Sequence, residues 1–156
     1  MSKTKILRLF VLLISHIIVT LHEIRPRRMK AVYIGLDIGS TTIKGVVIDE
    51  KGKVIFSKYE RHGARIKEKV VALLSEINAH FPHHEACLTI TGSIGMGISE
   101  RYALPFIQEV VSATLYMRTE HPEVNTLIDI GGEDAKVVFF RKDAAPDLRM
   151  NGNCAG

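Results

Sequence analysis

Two segments of this 156-residue chain share one pattern: an apolar strand that ends in Asp-x-Gly, a tight loop and a second apolar strand. The first runs through AVYIGLDI, GSTT and IKGVVID, and the second through TLIDIGG and AKVVFF. One strand ending in Asp-x-Gly is more often only a turn, because aspartate and glycine are common turn residues. Two such units in one short chain favour a fold built around a pair of glycine loops.

The segments around these loops predict the rest of the fold. A turn at residues 50–53 leads to VIFSKYER, so residues 31–61 are expected to form an antiparallel meander. Apolar residues at helical spacing predict a helix that ends before Pro82, and a second over about 108–118. Between them ACLTIT predicts a buried parallel strand followed by a glycine-rich loop, SIGMG, and near the end LRMN can start a further strand. We predict an α/β fold with the order βββαβαββ and helices packed on a mixed sheet.

Composition and charge exclude several classes of protein and of binding partner. The chain is 46% hydrophobic and 24% charged, which excludes a disordered or collagen-like protein. Its net charge of +4 is unevenly distributed, because residues 1–28 hold six Lys/Arg against Glu23 alone. Residues 29–156 hold 15 Lys/Arg against 16 Asp/Glu, so nucleic acid is not an expected partner.

Residues 1–28 form a basic and apolar leader. Its apolar run, Leu9 to Leu21, is shorter than the roughly 20 residues that a helix needs to span a bilayer. The leader resembles a signal peptide but lacks a small-residue cleavage site. We therefore take Met29 as the start of the folded protein and expect a cytoplasmic location without membrane association. The two cysteines, Cys87 and Cys154, do not suggest a disulfide framework, which agrees with a reducing compartment.

The first loop has the chemistry of a phosphate site. Successive backbone N–H groups in a tight turn at Gly39 can converge on phosphate oxygens. Lys44 can add a positive charge. Asp37, at the carboxyl end of its strand, is placed to hold Mg²⁺ through the water shell that this ion retains. Three successive hydroxyl groups can add donors: Ser40, Thr41 and Thr42.

The second loop repeats the arrangement, with Gly131 and Gly132 following Asp129. Two loops that face each other across a nucleotide would hold its phosphates from both sides, and Asp129 could orient the attacking water or the metal. We therefore expect the amides around residues 39–42 and 131–132 to point toward one shared anionic ligand. Asp37 and Asp129 are the candidate catalytic residues.

Four segments together resemble a known group: GLDIGSTTIKGVVID, TGSIGMG, IDIGGEDAKVV and MNGNCAG. The loops are similar to the phosphate-binding hairpins of the sugar kinase, heat-shock chaperone and actin superfamily. Within it, the four segments resemble the BadF/BadG/BcrA/BcrD-type ATPases, which activate 2-hydroxyacyl-CoA dehydratases and related benzoyl-CoA reductase components. The resemblance covers residues 29–156 and implies a ribonuclease H-like mixed sheet as one lobe of an ATP-binding fold.

The resemblance also implies an ATP-driven electron donor. In such activators a homodimer carries one 4Fe-4S cluster, and ATP hydrolysis pushes its electron to a dehydratase or reductase partner. Cys154 matches the cluster-binding cysteine. The phosphate-binding motifs are matched by Asp37, Gly39, Ser40, Thr41, Thr42 and Lys44 in the first loop and by Asp129, Gly131 and Gly132 in the second.

This chain departs from the family pattern in two places. The helix predicted over 108–118 has no cysteine, and Ser112 stands about where the family has another cluster ligand, whereas a 4Fe-4S cluster normally takes four thiolates. The sequence also ends at Gly156, where the family continues into a second lobe. We therefore interpret residues 29–156 as a truncated N-terminal lobe, and we expect it not to be a competent ATPase by itself.

Two alternatives stay open from the sequence. One is a small-molecule kinase of the same superfamily, in which an aspartate deprotonates a substrate hydroxyl, although no sugar-binding segment is recognisable. The other is a catalytically silent nucleotide-binding lobe, in which Cys154 is an inert thiol.

Overall fold

The computed structural model describes residues 30–131, 135–141 and 144–151. The leader, Gly132 and Cys154 lie outside these ranges. Within them, no helix is long and apolar enough to cross a membrane.

Seven strands and three helices are present in the described part of the chain. The strands are β1 (Ala31–Ile38), β2 (Thr42–Ile48), β3 (Val54–Arg61), β4 (Glu85–Thr91), β5 (Thr126–Ile130), β6 (Ala135–Phe139) and β7 (Asp147–Met150). The helices are α1 (Ile66–His80), α2 (Gly95–Tyr102) and α3 (Glu109–Glu120).

The first sheet has four strands in the order β3-β2-β1-β4. Strand β1 pairs antiparallel with β2 and parallel with β4, so the sheet is mixed, and α1 is the connection between β3 and β4. All eight residues of β1 are buried, which explains why its sequence is apolar except at Asp37. Helix α1 buries Leu73 and Ile77 in the core against this sheet. The predicted meander, first helix and parallel strand are confirmed.

The second sheet differs from the prediction of one sheet, because β5, β6 and β7 form a separate antiparallel sheet. The free edge of β4 is already occupied by the segment that follows α2. Ile90 donates its N–H to the carbonyl of Pro105 at 2.9 Å, and Ile107 donates to the carbonyl of Ile90 at 2.9 Å. The later strands therefore do not extend the first sheet at this edge.

Helix α2 is a second difference, because it begins within the glycine-rich run that predicts a loop. Glycine disfavours a helix interior by about 1 kcal/mol, so the local sequence argues against a helix here. Tertiary packing decides otherwise: Ile94 and Ile98 pack against the main core. Gly95 lies so close to β4 that a Cβ atom there would stand 2.7 Å from Cγ2 of Ile90. The glycine serves close packing rather than flexibility.

Candidate functional site

The first hairpin brings the predicted residues of the first loop together at the end of β1. Gly39 donates its N–H to the carbonyl of Thr42 at 3.0 Å, which closes the turn between β1 and β2. Asp37 and Lys44 are directly opposite each other in the antiparallel register. The Nζ of Lys44 lies 2.5 Å from Oδ2 of Asp37, and these side chains are only 17% and 7% exposed. Lys44 is thus held by the aspartate of its own hairpin.

Burial sets the electrostatics of this pair. It raises the pKa of Asp37 above its ordinary value, and the charge of Lys44 offsets only part of that effect. Burial acts to lower the pKa of Lys44, but the carboxylate of Asp37 outweighs it and the net direction is upward. Lys44 therefore stays a cation at neutral pH.

The residues at the end of β4 pack closely against Asp37. Thr91 is the parallel partner of Asp37 in the sheet, and its buried Oγ1 has no hydrogen-bond partner among the described residues. Gly92 follows with φ +92°, and a Cβ atom there would lie 2.5 Å from Oδ1 of Asp37. Ile94 then donates its N–H to the carbonyl of Ile38 at 2.9 Å. Asp37 is enclosed between β2 and this turn.

Sequence analysis did not assign Thr91 and Gly92 to the site. A signal was available, since Thr-Gly follows a strand predicted to be parallel and buried. Ligands of α/β sheets bind beyond the carboxyl ends of the strands, which is where both residues lie.

The second hairpin has the same cross-strand pairing as the first. Asp129 is opposite Lys136 in the register of β5 and β6. Asn151 fixes the start of β6, because its side-chain Oδ1 accepts the N–H of Ala135 at 3.1 Å and its own N–H donates to the carbonyl of Ala135. Gly131 is exposed, whereas Gly132 lies outside the described residues.

Charges link the two hairpins through the start of α3. The Nζ of Lys136 lies 3.2 Å from Oε2 of Glu109. Glu109 also acts on the first hairpin, where its charge raises the pKa of both Asp37 and Lys44. The charge of Lys136 acts to lower the pKa of Asp37. Glu109 therefore forms an ion pair with the lysine of the second hairpin, and its charge also influences the pKa values of the first.

Comparison with known proteins assigns the family. The chain matches the BadF/BadG/BcrA/BcrD ATPase family over residues 34–156. It belongs to this family. The family assignment made from the four sequence segments is confirmed.

Proteins similar to this chain include activators of dehydratases. The (R)-2-hydroxyglutaryl-CoA dehydratase activating ATPase of Acidaminococcus fermentans is 26% identical over 124 residues, which cover 78% of this chain and 47% of that protein. The activator of the 2-hydroxyisocaproyl-CoA dehydratase from Clostridium difficile, solved with bound ADPNP, is 29% identical with a TM-score of 0.56 and coverages of 81% and 47%. The chain spans about half the length of the curated relatives that it matches.

Structural similarity confirms the fold class. The crystal structure of the Acidaminococcus fermentans dehydratase component A has a TM-score of 0.62 at 24% identity, with coverages of 80% of this chain and 49% of that one. At this identity the likeness concerns the fold alone. The α/β mixed sheet of the actin-like ATPases is the predicted class.

The donor set of the first hairpin fits a hydrated Mg²⁺ ion, which the family's ATP chemistry implies. Mg²⁺ keeps several waters and takes one or two carboxylates, and Asp37 offers a carboxylate at the turn. Within the described ranges, no group of three or more His, Cys, Asp or Glu side chains could enclose a metal directly.

The described residues do not fit a 4Fe-4S cluster. Ser112 lies on α3, is 6% exposed, and its shielded Oγ has no described hydrogen-bond partner. Its hydroxyl is not a thiolate, and α3 supplies none. Cys87 lies half-buried in β4, and Cys154 lies outside the described residues. No step below is therefore routed through a cluster.

Proposed function

We propose that this chain provides the phosphate-binding hairpins of an ATP-dependent activator that serves an acyl-CoA dehydratase or reductase. The observation that carries the proposal is the repeated hairpin: each Asp-x-Gly turn places its aspartate directly opposite a lysine. Membership of the BadF/BadG/BcrA/BcrD family supports ATP as the ligand.

In this proposal the two hairpins bind the nucleotide phosphates from opposite sides. The amides and hydroxyls of residues 39–42 bind phosphate oxygens from one side, and the amides of 131–132 bind them from the other. Mg²⁺, when bound, neutralises charge on the phosphate oxygens. Asp37 holds waters of the metal, and Asp129 orients the attacking water. Lys44 neutralises Asp37 until a phosphate competes for its Nζ.

The proposed role as an activator is supported by the proteins to which this chain is similar. Two proteins similar to this chain are named as activators of 2-hydroxyacyl-CoA dehydratases, so we propose a dehydratase or reductase component as the partner. We further propose that hydrolysis drives a low-potential electron to that partner in the cytoplasm.

Isothermal titration calorimetry tests nucleotide binding with MgADPNP as the probe. We expect wild type to bind, and Asp37→Asn or Asp129→Asn to weaken binding by tenfold or more, because each removes a charged partner worth about 1.5–3 kcal/mol. Glu120→Gln, at the exposed end of α3, removes a carboxylate outside the site and is expected to bind as wild type does.

Two results would contradict the proposal: wild type that does not bind MgADPNP, or aspartate variants that bind as tightly as Glu120→Gln. Release of inorganic phosphate from MgATP, measured on the same samples, separates an active ATPase from a lobe that binds nucleotide without turnover.

A further inference from the structure

His62 lies beneath the first loop and contacts it directly. It follows the last residue of β3, and it is 4% exposed. Its Nε2 lies 3.1 Å from the carbonyl oxygen of Gly39, and its Nδ1 accepts the N–H of Ala64 at 3.2 Å. A carbonyl oxygen only accepts, so Nε2 must carry the proton, and Nδ1 must be unprotonated to accept. One neutral tautomer satisfies both contacts.

The backbone of His62 makes a second contact with the same loop. Its N–H donates to the carbonyl of Thr41 at 3.3 Å. The chain then folds back through Gly63 and Ala64, which have φ of +54° and +62°. A left-handed alanine is unfavourable, and the bond from its N–H to Nδ1 of His62 stabilises it. The ring is thus fixed by its own turn.

These contacts decide where the loop amides point. In a trans peptide the carbonyl and the following N–H point in opposite directions, and no described peptide is cis. With the carbonyls of Gly39 and Thr41 held by His62, the N–H groups of Ser40 and Thr42 are turned away from it. The N–H of Ser40 has no hydrogen-bond partner among the described residues. Amides arranged in this way are suited to bind an anion.

We propose that His62 is a positioning residue for the phosphate loop: it holds two loop carbonyls so that the amide of Ser40 faces the nucleotide phosphates. The inference rests on the proposed function, which supplies the nucleotide phosphates as the ligand of this loop. It assigns to a buried histidine a role that sequence analysis did not foresee, because a strand-end His has no motif of its own.

The test compares His62→Met with His62→Gln. The two replacements have similar length, but only glutamine can donate an N–H to the carbonyl of Gly39. His83→Met is the matched control, since His83 is exposed in the turn before β4. Two quantities are measured under conditions where all variants are folded: hydrogen exchange without nucleotide of the Gly39 amide, whose N–H closes the loop by donating to the carbonyl of Thr42, and the Kd for MgADPNP.

We expect His62→Met to speed exchange of the Gly39 amide and to raise the Kd, each by about tenfold, as the loss of one buried hydrogen bond implies. His62→Gln should restore most of both, and His83→Met should change neither. Loop exchange in His62→Met equal to that of wild type would overturn the inference whatever the nucleotide does. A normal Kd for His62→Met with faster exchange would also overturn it, because the histidine would then be only structural.

Failure of the proposed function is a different result. If wild type binds no MgADPNP, the proposed function and the phosphate role of His62 both fail, and loop exchange still decides whether His62 orders the loop. If His62→Met does not fold, His62→Gln decides alone: wild-type exchange and Kd support the inference, and tenfold changes in both overturn it.

Discussion

Replacement of Gly92 by alanine is expected to destabilise the protein by about 4 kcal/mol or more, enough to unfold a domain of ordinary stability. Gly92 has φ +92°, a region that side chains rarely occupy. A Cβ atom would lie 2.5 Å from Oδ1 of Asp37 and 2.5 Å from the carbonyl oxygen of Ile38. The second of these atoms is backbone in the central strand and cannot move aside. Urea unfolding followed by circular dichroism measures the loss.

Gly97→Ala is the control for this experiment. Gly97 is the third residue of α2, and no heavy atom lies within 4 Å of the added Cβ. Alanine should stabilise the helix by about 0.5–1 kcal/mol there. A Gly92→Ala protein as stable as wild type would mean that the turn after β4 does not pack against Asp37.

Replacement of Lys44 by methionine is expected to cost about 3 kcal/mol at neutral pH, because it leaves Asp37 buried without its partner. The loss should depend on pH. Burial already raises the pKa of Asp37 in the folded protein, and removal of the lysine charge raises it further. Below the ordinary pKa of the unfolded chain, Asp37 is protonated in both states. As pH rises from there toward the folded pKa, the unfolded state ionises first and stability falls.

The measurement is the free energy of unfolding of Lys44→Met and wild type at pH 5 and pH 8. The difference between them should be larger at pH 8. Lys51→Met is the control, since Lys51 is exposed in the turn between β2 and β3, and we expect a change within about 0.5 kcal/mol at both pH values. A Lys44→Met effect of equal size at both pH values would contradict the account of Asp37 as a buried, charged partner.

The first hairpin was predictable because its information is local. The Asp-x-Gly turn, the apolar strands and the hydroxyl residues stand together in the sequence. Even the Asp37–Lys44 pair follows from the hairpin, since pairing of Ile38 with Ile43 places residue 37 opposite residue 44. A lysine beside a glycine turn suits an anion, so the sequence predicts Lys44 as a phosphate ligand, and the structure adds that its Nζ forms an ion pair with Asp37.

The residues that sequence analysis missed depend on contacts between distant segments. His62 reaches Gly39 across 23 positions, and Gly92 meets Asp37 only because β4 pairs parallel with β1. The separate second sheet also depends on a contact between distant segments. Residues 105–107 occupy the edge of β4, and no local sequence pattern predicts that contact. Helix α2 was not predicted because its two glycines disfavour a helix locally, and only the close packing of Gly95 against Ile90 explains a glycine there.

The central claim is that both glycine loops bind one phosphate ligand. A titration of ¹⁵N-labelled protein with MgADPNP, followed by amide chemical shifts, tests it directly. The account predicts that amides of residues 39–42 and of 131–132 shift together and with one midpoint, while amides of the turn at 50–53 do not move. Shifts confined to the first loop, or two loops with different midpoints, would contradict it.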